Sequence, residues 1–283
     1  VRRGRLRRPG APGALLPAAA LLVAALLLPA CSDPARDAYG RAEHALLEKR
    51  ADEALAGFRS LVRAYPDSRH APQALLRMGD LYAGWYRNDP AALEAYRSLV
   101  YTYPGAPEAP KALLAEGKLL LGRLYDPGGS VAALNRLLSD YPSFGGREEA
   151  LLVLGRACVS LPDPDRGKAA LTELLDRYPD SPRRKEARWL LAYVLLSGRR
   201  FAEADREFRK LYFLSTEPKE KARARWGMGQ AMEGVGDVKG ALVQYQAIRG
   251  DFEDPAWVAA KIERLRKTAA EEARQEGKGR RGR

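Results

Sequence analysis

The feature that most restricts what this chain can fold into is a period. Tyr-Pro stands at Tyr65-Pro66 and returns at Tyr103-Pro104, Tyr141-Pro142 and Tyr178-Pro179, in steps of 38, 38 and 37 residues. Twelve residues before each of these prolines sits a small residue: Ala54, Ala92, Ser130, Gly167. Four residues after each small one sits a large apolar one: Phe58, Tyr96, Leu134, Leu171. The small–large pair continues without its proline at Ala204/Phe208 and Ala241/Tyr245. A second small series, Ala42, Gly79, Gly117, Gly155, Ala192 and Gly229, runs twelve or thirteen residues ahead of the first. Two series keeping one spacing through six units mark a repeat architecture.

Residue chemistry says what one unit is. Positions four apart share a helix face, so Ala54 and Phe58 form one small–large pair, the small member admitting a neighbouring helix and the large one filling the gap. Proline cannot continue a helix and drives the residue before it out of helical geometry, so each Tyr-Pro ends one. Asp67-Ser68 and Asp180-Ser181 then supply turn and N-cap oxygens for the next. Each unit therefore reads as helix A, turn, helix B, proline stop. A single hairpin of this kind cannot bury its apolar face, so neighbours must stack. The expected fold is all-α: a right-handed solenoid of about six hairpins over 36–66, 69–104, 107–142, 146–179, 182–215 and 218–252. A capping helix over 254–270 and a basic, disordered tail over 271–283 complete the solenoid end. Trp257, Val258, Ile262 and Leu265 give the cap its apolar side, with Lys261, Glu263, Arg264 and Arg266 outward.

The formal charge of +12 invites a nucleic-acid reading until it is located. Nine of those charges are terminal: Arg2, Arg3, Arg5, Arg7 and Arg8 at one end, Lys278, Arg280, Arg281 and Arg283 at the other. The body interleaves acids and bases without a basic stripe, which argues against a nucleic-acid partner. The Arg-rich start leads into an apolar run, Ala18 to Leu28, shorter than the ~20 residues of a membrane span but fitting a signal-peptide core over 1–30. Two cysteines make no disulfide framework. Cys158 falls on a buried helix face as a small hydrophobe; Cys31 closes Leu28-Pro29-Ala30-Cys31 and is followed by a linker over 31–35.

No catalytic signature is present. Gly-x-Ser-x-Gly, Walker and Gly-x-Gly-x-x-Gly patterns are absent, and Gly128-Gly129 and Gly145-Gly146 read as turn glycines. His44 and His70 read as solvated or capping residues at helix ends, and the carboxylates as i,i+4 pairs on solvated helix faces. No metal, cofactor or enzymatic activity is expected. In a right-handed stack the A helices line the concave side. Projecting each A helix around its small slot places Tyr39, Asp80, Lys118, Arg156, Trp189, Tyr193, Trp226 and Gln230 in a partner groove, with Glu43, Leu76, Leu114 and Leu152 beside them. Trp189 and Trp226 fit equally well as fillers between hairpins.

Over about 36–252, the small-x-x-x-aromatic pair, the upstream Gly or Ala slot and the downstream Pro resemble the tetratricopeptide repeat. The Tyr-Pro-Asp-Ser ending is similar to its bacterial envelope subset, which includes outer-membrane assembly lipoproteins of the BamD type and Tol-Pal-associated periplasmic proteins. Leu28 to Cys31 resembles a lipobox, which implies Cys31 as the acylated first residue of a mature lipoprotein. Ser32 in place of Asp leans that lipoprotein towards the outer membrane, on its periplasmic face. The resemblance implies a non-catalytic scaffold for envelope proteins, among them the β-barrel assembly machinery. An adaptor of cell-wall, Tol-Pal or polysaccharide-export machinery, gripping a glycan or a secretion subunit, stays open beside it.

Overall fold

The computed structural model describes residues 33–161, 163–248, 250 and 254–281; the expected signal segment 1–30 and Cys31 lie outside them. Among the described residues there are thirteen α-helices and no strand. Six successive hairpins pair α1 (Pro34–Leu47) with α2 (Ala51–Ala64), α3 (His70–Gly84) with α4 (Asp89–Thr102), and α5 (Ala109–Gly122) with α6 (Pro127–Asp140). Then follow α7 (Arg147–Ser160) with α8 (Pro164–Arg177), α9 (Arg184–Ser197) with α10 (Phe201–Leu214), and α11 (Pro218–Gly234) with α12 (Val238–Gln246). The cap is α13 (Pro255–Arg281). Each helix packs on the next in sequence, giving the solenoid of stacked hairpins.

The helix ends follow from side-chain chemistry. Tyr65, Tyr103, Tyr141 and Tyr178 each donate the closing backbone bond, to Leu61, Leu99, Leu137 and Leu174, just before their prolines. Ser68 Oγ accepts from the His70 N–H and Ser181 Oγ from the Arg183 N–H, at 3.2 and 2.9 Å, turning the chain into the next A helix. Asn88, Asp126, Asp163 and Asp237 cap four of the B helices by accepting backbone N–H bonds. Gly128 and Gly129, expected in a turn, stand in the first turn of α6, where the Gly129 N–H meets Asp126 Oδ1.

The two periodic series interlock. Phe58, Tyr96, Leu134, Leu171, Phe208 and Tyr245 are all buried. Where the slot is glycine, the large residue sits against the slot of its own A helix: a Cβ added at Gly117 would come 2.9 Å from Leu134 Cγ, and one at Gly229 2.6 Å from Tyr245 Cε1. A Cβ at Gly79 or Gly155 would likewise run into Tyr96 or Leu171. Helix-B small residues serve the next contact. A Cβ at Gly167 would lie 2.8 Å from Cys158 and 2.7 Å from Val194 of the following hairpin. Ser130 occupies the same slot in α6, fully buried with its hydroxyl unpartnered. Replacing it with the alanine used by four other units removes a desolvated hydroxyl, so Ser130→Ala should raise stability by about 1 kcal/mol in urea unfolding.

The Tyr-Pro pairs do more than stop helices. Tyr103 Oη donates to Pro66 O and Tyr141 Oη to Pro104 O, both at 2.7 Å and both 37 residues back, stapling each stop to the one before. Tyr141→Phe keeps the ring and loses only this bond, for an expected cost of about 1 kcal/mol; Tyr103→Phe should match it in the same assay.

Several expectations need correction. The linker placed at 31–35 is already helical from Pro34, because Asp33 Oδ1 accepts the N–H groups of Ala35 and Arg36. The tail placed at 271–283 is helical as far as Arg281, since Ala269 to Glu276 is a run of good helix formers that needs no apolar face. His70 is nearly buried: its ring stacks on Tyr39 of the previous hairpin at 5.4 Å, with Asp33 Oδ2 3.8 Å away. Charge pairs also cross between hairpins more than the i,i+4 reading allows, as in Arg77–Glu43, Lys118–Glu149 and Lys168–Glu203.

Candidate concave binding surface

Curvature selects the candidate surface. Every successive pair of A helices touches (α1 and α3, α3 and α5, α5 and α7, α7 and α9, α9 and α11), whereas no two B helices do among the described residues. The small slots let A helices converge, and the B helices fan out on the convex side. The A face is therefore the inside of the curve.

Its residues sort into a floor and a ladder. Leu76, Leu121, Val159 and Leu196 are half-buried along the floor. The ladder is ionic and spans neighbouring hairpins: Arg77 with Glu43, Lys118 with Glu149, Arg156 with Glu186, Lys185 with Glu220. A hollow of about 280 Å³ opens between hairpins 3, 4 and 5, lined by Leu121, Leu152 and Val153 with Lys118, Arg156 and Arg183 around them. Five of the eight expected groove residues are ladder members or make bonds along this face. Tyr39 donates to Glu43 Oε1 at 3.0 Å. Asp80 accepts from Tyr96 Oη at 2.9 Å, and burial raises its carboxyl pKa. Lys118 and Arg156 pair as above, and Tyr193 Oη accepts from Arg223 Nε at 2.8 Å. Gln230 is half-buried on the same face.

Trp189 and Trp226 are placed differently. At 7% and 6% exposed they fill the space between hairpins instead of lining an open groove. Trp189 packs on Phe208 and is roofed by the Arg223 guanidinium, 4.6 Å from its ring. Trp226 packs on Tyr245 at 4.6 Å and on Trp257 of the cap at 4.2 Å. Position alone put them on the concave side; their size draws them into the interior. Arg223 was missed by the slot projection because it stands a turn earlier on its helix. Its signal lay in the Arg two turns before Gln230 beside an aromatic one unit back.

Cys158 is buried, and burial pushes its thiol up to about 11, the setting of a packing residue and not of a nucleophile. Among the described residues no group of three His, Cys, Asp or Glu stands together that could hold a metal, and no helix is long and apolar enough to cross a membrane.

A curved stack of helix hairpins with an ion-paired inner face defines the class: an all-α helical-repeat fold of the tetratricopeptide type. Residues 33–68 and 73–106 match the tetratricopeptide repeat family model. No curated protein matches this sequence. Among solved structures, a tetratricopeptide repeat protein from Parabacteroides merdae shares 17% identity and superposes with a TM-score of 0.53, covering 85% of this chain and 88% of its own. PilW, titled a widely conserved type IV pilus biogenesis factor, shares 17% identity with a TM-score of 0.48 over 78% of this chain and 94% of its own. Pseudomonas aeruginosa PilF shares 17% with a TM-score of 0.45 over 77% and 91%. At these identities the Parabacteroides structure supports the fold alone.

Proposed function

We propose that this chain is a non-catalytic scaffold, acylated at Cys31 and held on the periplasmic face of a bacterial outer membrane, that grips other envelope proteins along its A-helix groove. Components of β-barrel assembly are the partners the lipoprotein resemblance favours. The observation that carries the binding role is the convergence of A helices with splayed B helices, which leaves one continuous concave face with an apolar floor. Its charged residues already satisfy one another across hairpins, so a partner meets a roughly neutral, preorganised surface and little side-chain ordering remains to oppose binding. The glycan alternative loses support, because the two indoles that would stack on a sugar are buried.

The test is site-specific photo-crosslinking in intact envelopes. A photoreactive residue at Lys118 or Arg156, both exposed on the groove, should yield one defined protein adduct. The same residue at Arg209, exposed on a convex helix, should yield none. Adducts from the convex position alone would overturn the groove assignment. Mass spectrometry of the membrane-extracted chain should find acyl groups on Cys31; an unmodified thiol there would remove the anchor.

A further inference from the structure

A helices begin, and B helices end, along one edge of the solenoid. Asp33, the N-cap of α1, stands on that edge. Cys31 precedes it by two residues, and two residues of extended chain reach only about 7 Å. An acyl group on Cys31 therefore holds this edge of the first hairpin at the lipid headgroups. The opposite edge, where A helices turn into B helices, is a whole helix away, about 21 Å for 14 residues.

The near edge is equipped for such a position at both ends of the rod. Tyr65 closes α2 and Tyr101 lies in the last turn of α4, while Phe213 and Leu214 end α10 and Trp257 lies in the first turn of α13. All five are exposed, Tyr101 and Phe213 at 88% and 81%. Beside Asp33 a hollow of about 610 Å³ has Pro34, Ala35, Ala64, Tyr65 and Pro66 as its apolar walls, with Asp33, Asp67, Ser68 and Arg69 as its polar ones. Tyr and Trp are the side chains that settle at a membrane–water boundary, with the ring among the lipids and the polar atom in water. The far edge also exposes apolar residues, Leu47, Trp85, Leu124, Tyr125 and Val235, but a tether this short turns them away from the bilayer.

We propose that this near edge is a lipid-binding surface: the rod lies along the bilayer with Tyr65, Tyr101, Phe213, Leu214 and Trp257 at headgroup depth. The concave groove then opens sideways, parallel to the membrane, towards proteins embedded in the same leaflet. This placement rests on the anchoring at Cys31 set out above. Acyl chains supply the binding energy, and the aromatic edge converts a pivoting tether into a fixed orientation.

The test uses the full-length chain reconstituted into vesicles of phosphatidylethanolamine and phosphatidylglycerol. Single substitutions Tyr101→Cys and Phe213→Cys on the near edge, and Trp85→Cys and Tyr125→Cys on the far edge, carry a polarity-sensitive fluorophore. All four positions are exposed, so folding is preserved, and Cys158 is buried from the label. Emission should rise severalfold on vesicle binding at Tyr101→Cys and Phe213→Cys and stay unchanged at the two far positions. A chain that floats with vesicles yet shows no rise at Phe213→Cys, or shows a rise at Trp85→Cys or Tyr125→Cys, overturns the proposed orientation while leaving the anchor intact. A chain that does not float with vesicles removes the anchor and the orientation together.

Discussion

Phe208→Ala lowers the stability of the folded chain by about 3–5 kcal/mol, the range for truncating a fully buried Phe. The ring has no exposure and sits where two hairpins meet. It lies 6.1 Å from the Trp189 ring and 5.5 Å from Tyr193 within hairpin 5, and against Gly227 of hairpin 6. Truncation leaves a cavity bounded by a rigid indole and a backbone, neither of which can collapse into it. In a solenoid, where stability is a sum of unit and interface terms, the loss should concentrate between hairpins 5 and 6. Hydrogen exchange should accelerate first in α11 and α12. Phe58→Ala, at the equivalent place in hairpin 1, should behave alike. Arg209→Ala, one residue along but exposed and paired with Asp205 on its own helix, should cost less than about 1 kcal/mol. Equal urea midpoints for Phe208→Ala and Arg209→Ala would contradict the face assignment.

Gly229→Ala should destabilise by about 1–3 kcal/mol through overpacking, although alanine is worth up to about 1 kcal/mol more than glycine inside a helix. The added Cβ would lie 2.6 Å from Tyr245 Cε1 and 2.7 Å from Cζ, and the ring cannot swing aside because its hydroxyl is held by Glu233. The chain itself contains the compensating arrangement. Hairpins 1 and 5 carry Ala42 with Phe58 and Ala192 with Phe208 at the same spacing in the sequence, with no hydroxyl to fix the ring. Gly229→Ala combined with Tyr245→Phe should therefore recover part of the loss, a coupling a double-mutant cycle reads directly. Gly122→Ala, where a Cβ would meet nothing within 4 Å, is the control and should be neutral or slightly stabilising. A single Gly229→Ala variant as stable as its parent would show that the slot tolerates a methyl and that the interlock is looser than drawn.

Fold was legible wherever the information is local and repeated. The Phe58, Tyr96, Leu134, Leu171, Phe208 and Tyr245 series could be read because a helix face has a fixed period and every unit must present the same face to its neighbour. The candidate surface was legible only in outline. Asp80, Lys118 and Arg156 stand on the A face as their offsets from the slot require, yet the partners of Lys118 and Arg156 come from other hairpins, thirty or more residues away, and that of Asp80 from the facing helix of its own. No rule of neighbouring positions could name those partners. The Tyr103 and Tyr141 hydroxyls were hidden for the same reason: the residue preceding a proline announces a helix end, not a bond to the carbonyl of the previous stop.

The order of residues alone determined that this chain forms helix hairpins and that the hairpins must stack. Pro stops and small–large pairs act within one unit, and a lone hairpin leaves its apolar side in water. Which side became the inner curve, and which aromatic rings were buried, was decided by the tertiary structure. Those outcomes depend on how closely A helices approach across the Ala and Gly slots, and on ion pairs that exist only once hairpins stand side by side. Trp189 shows the difference: its offset marks the concave side, but the space between hairpins 5 and 6, roofed by Arg223, is where its area is removed from water.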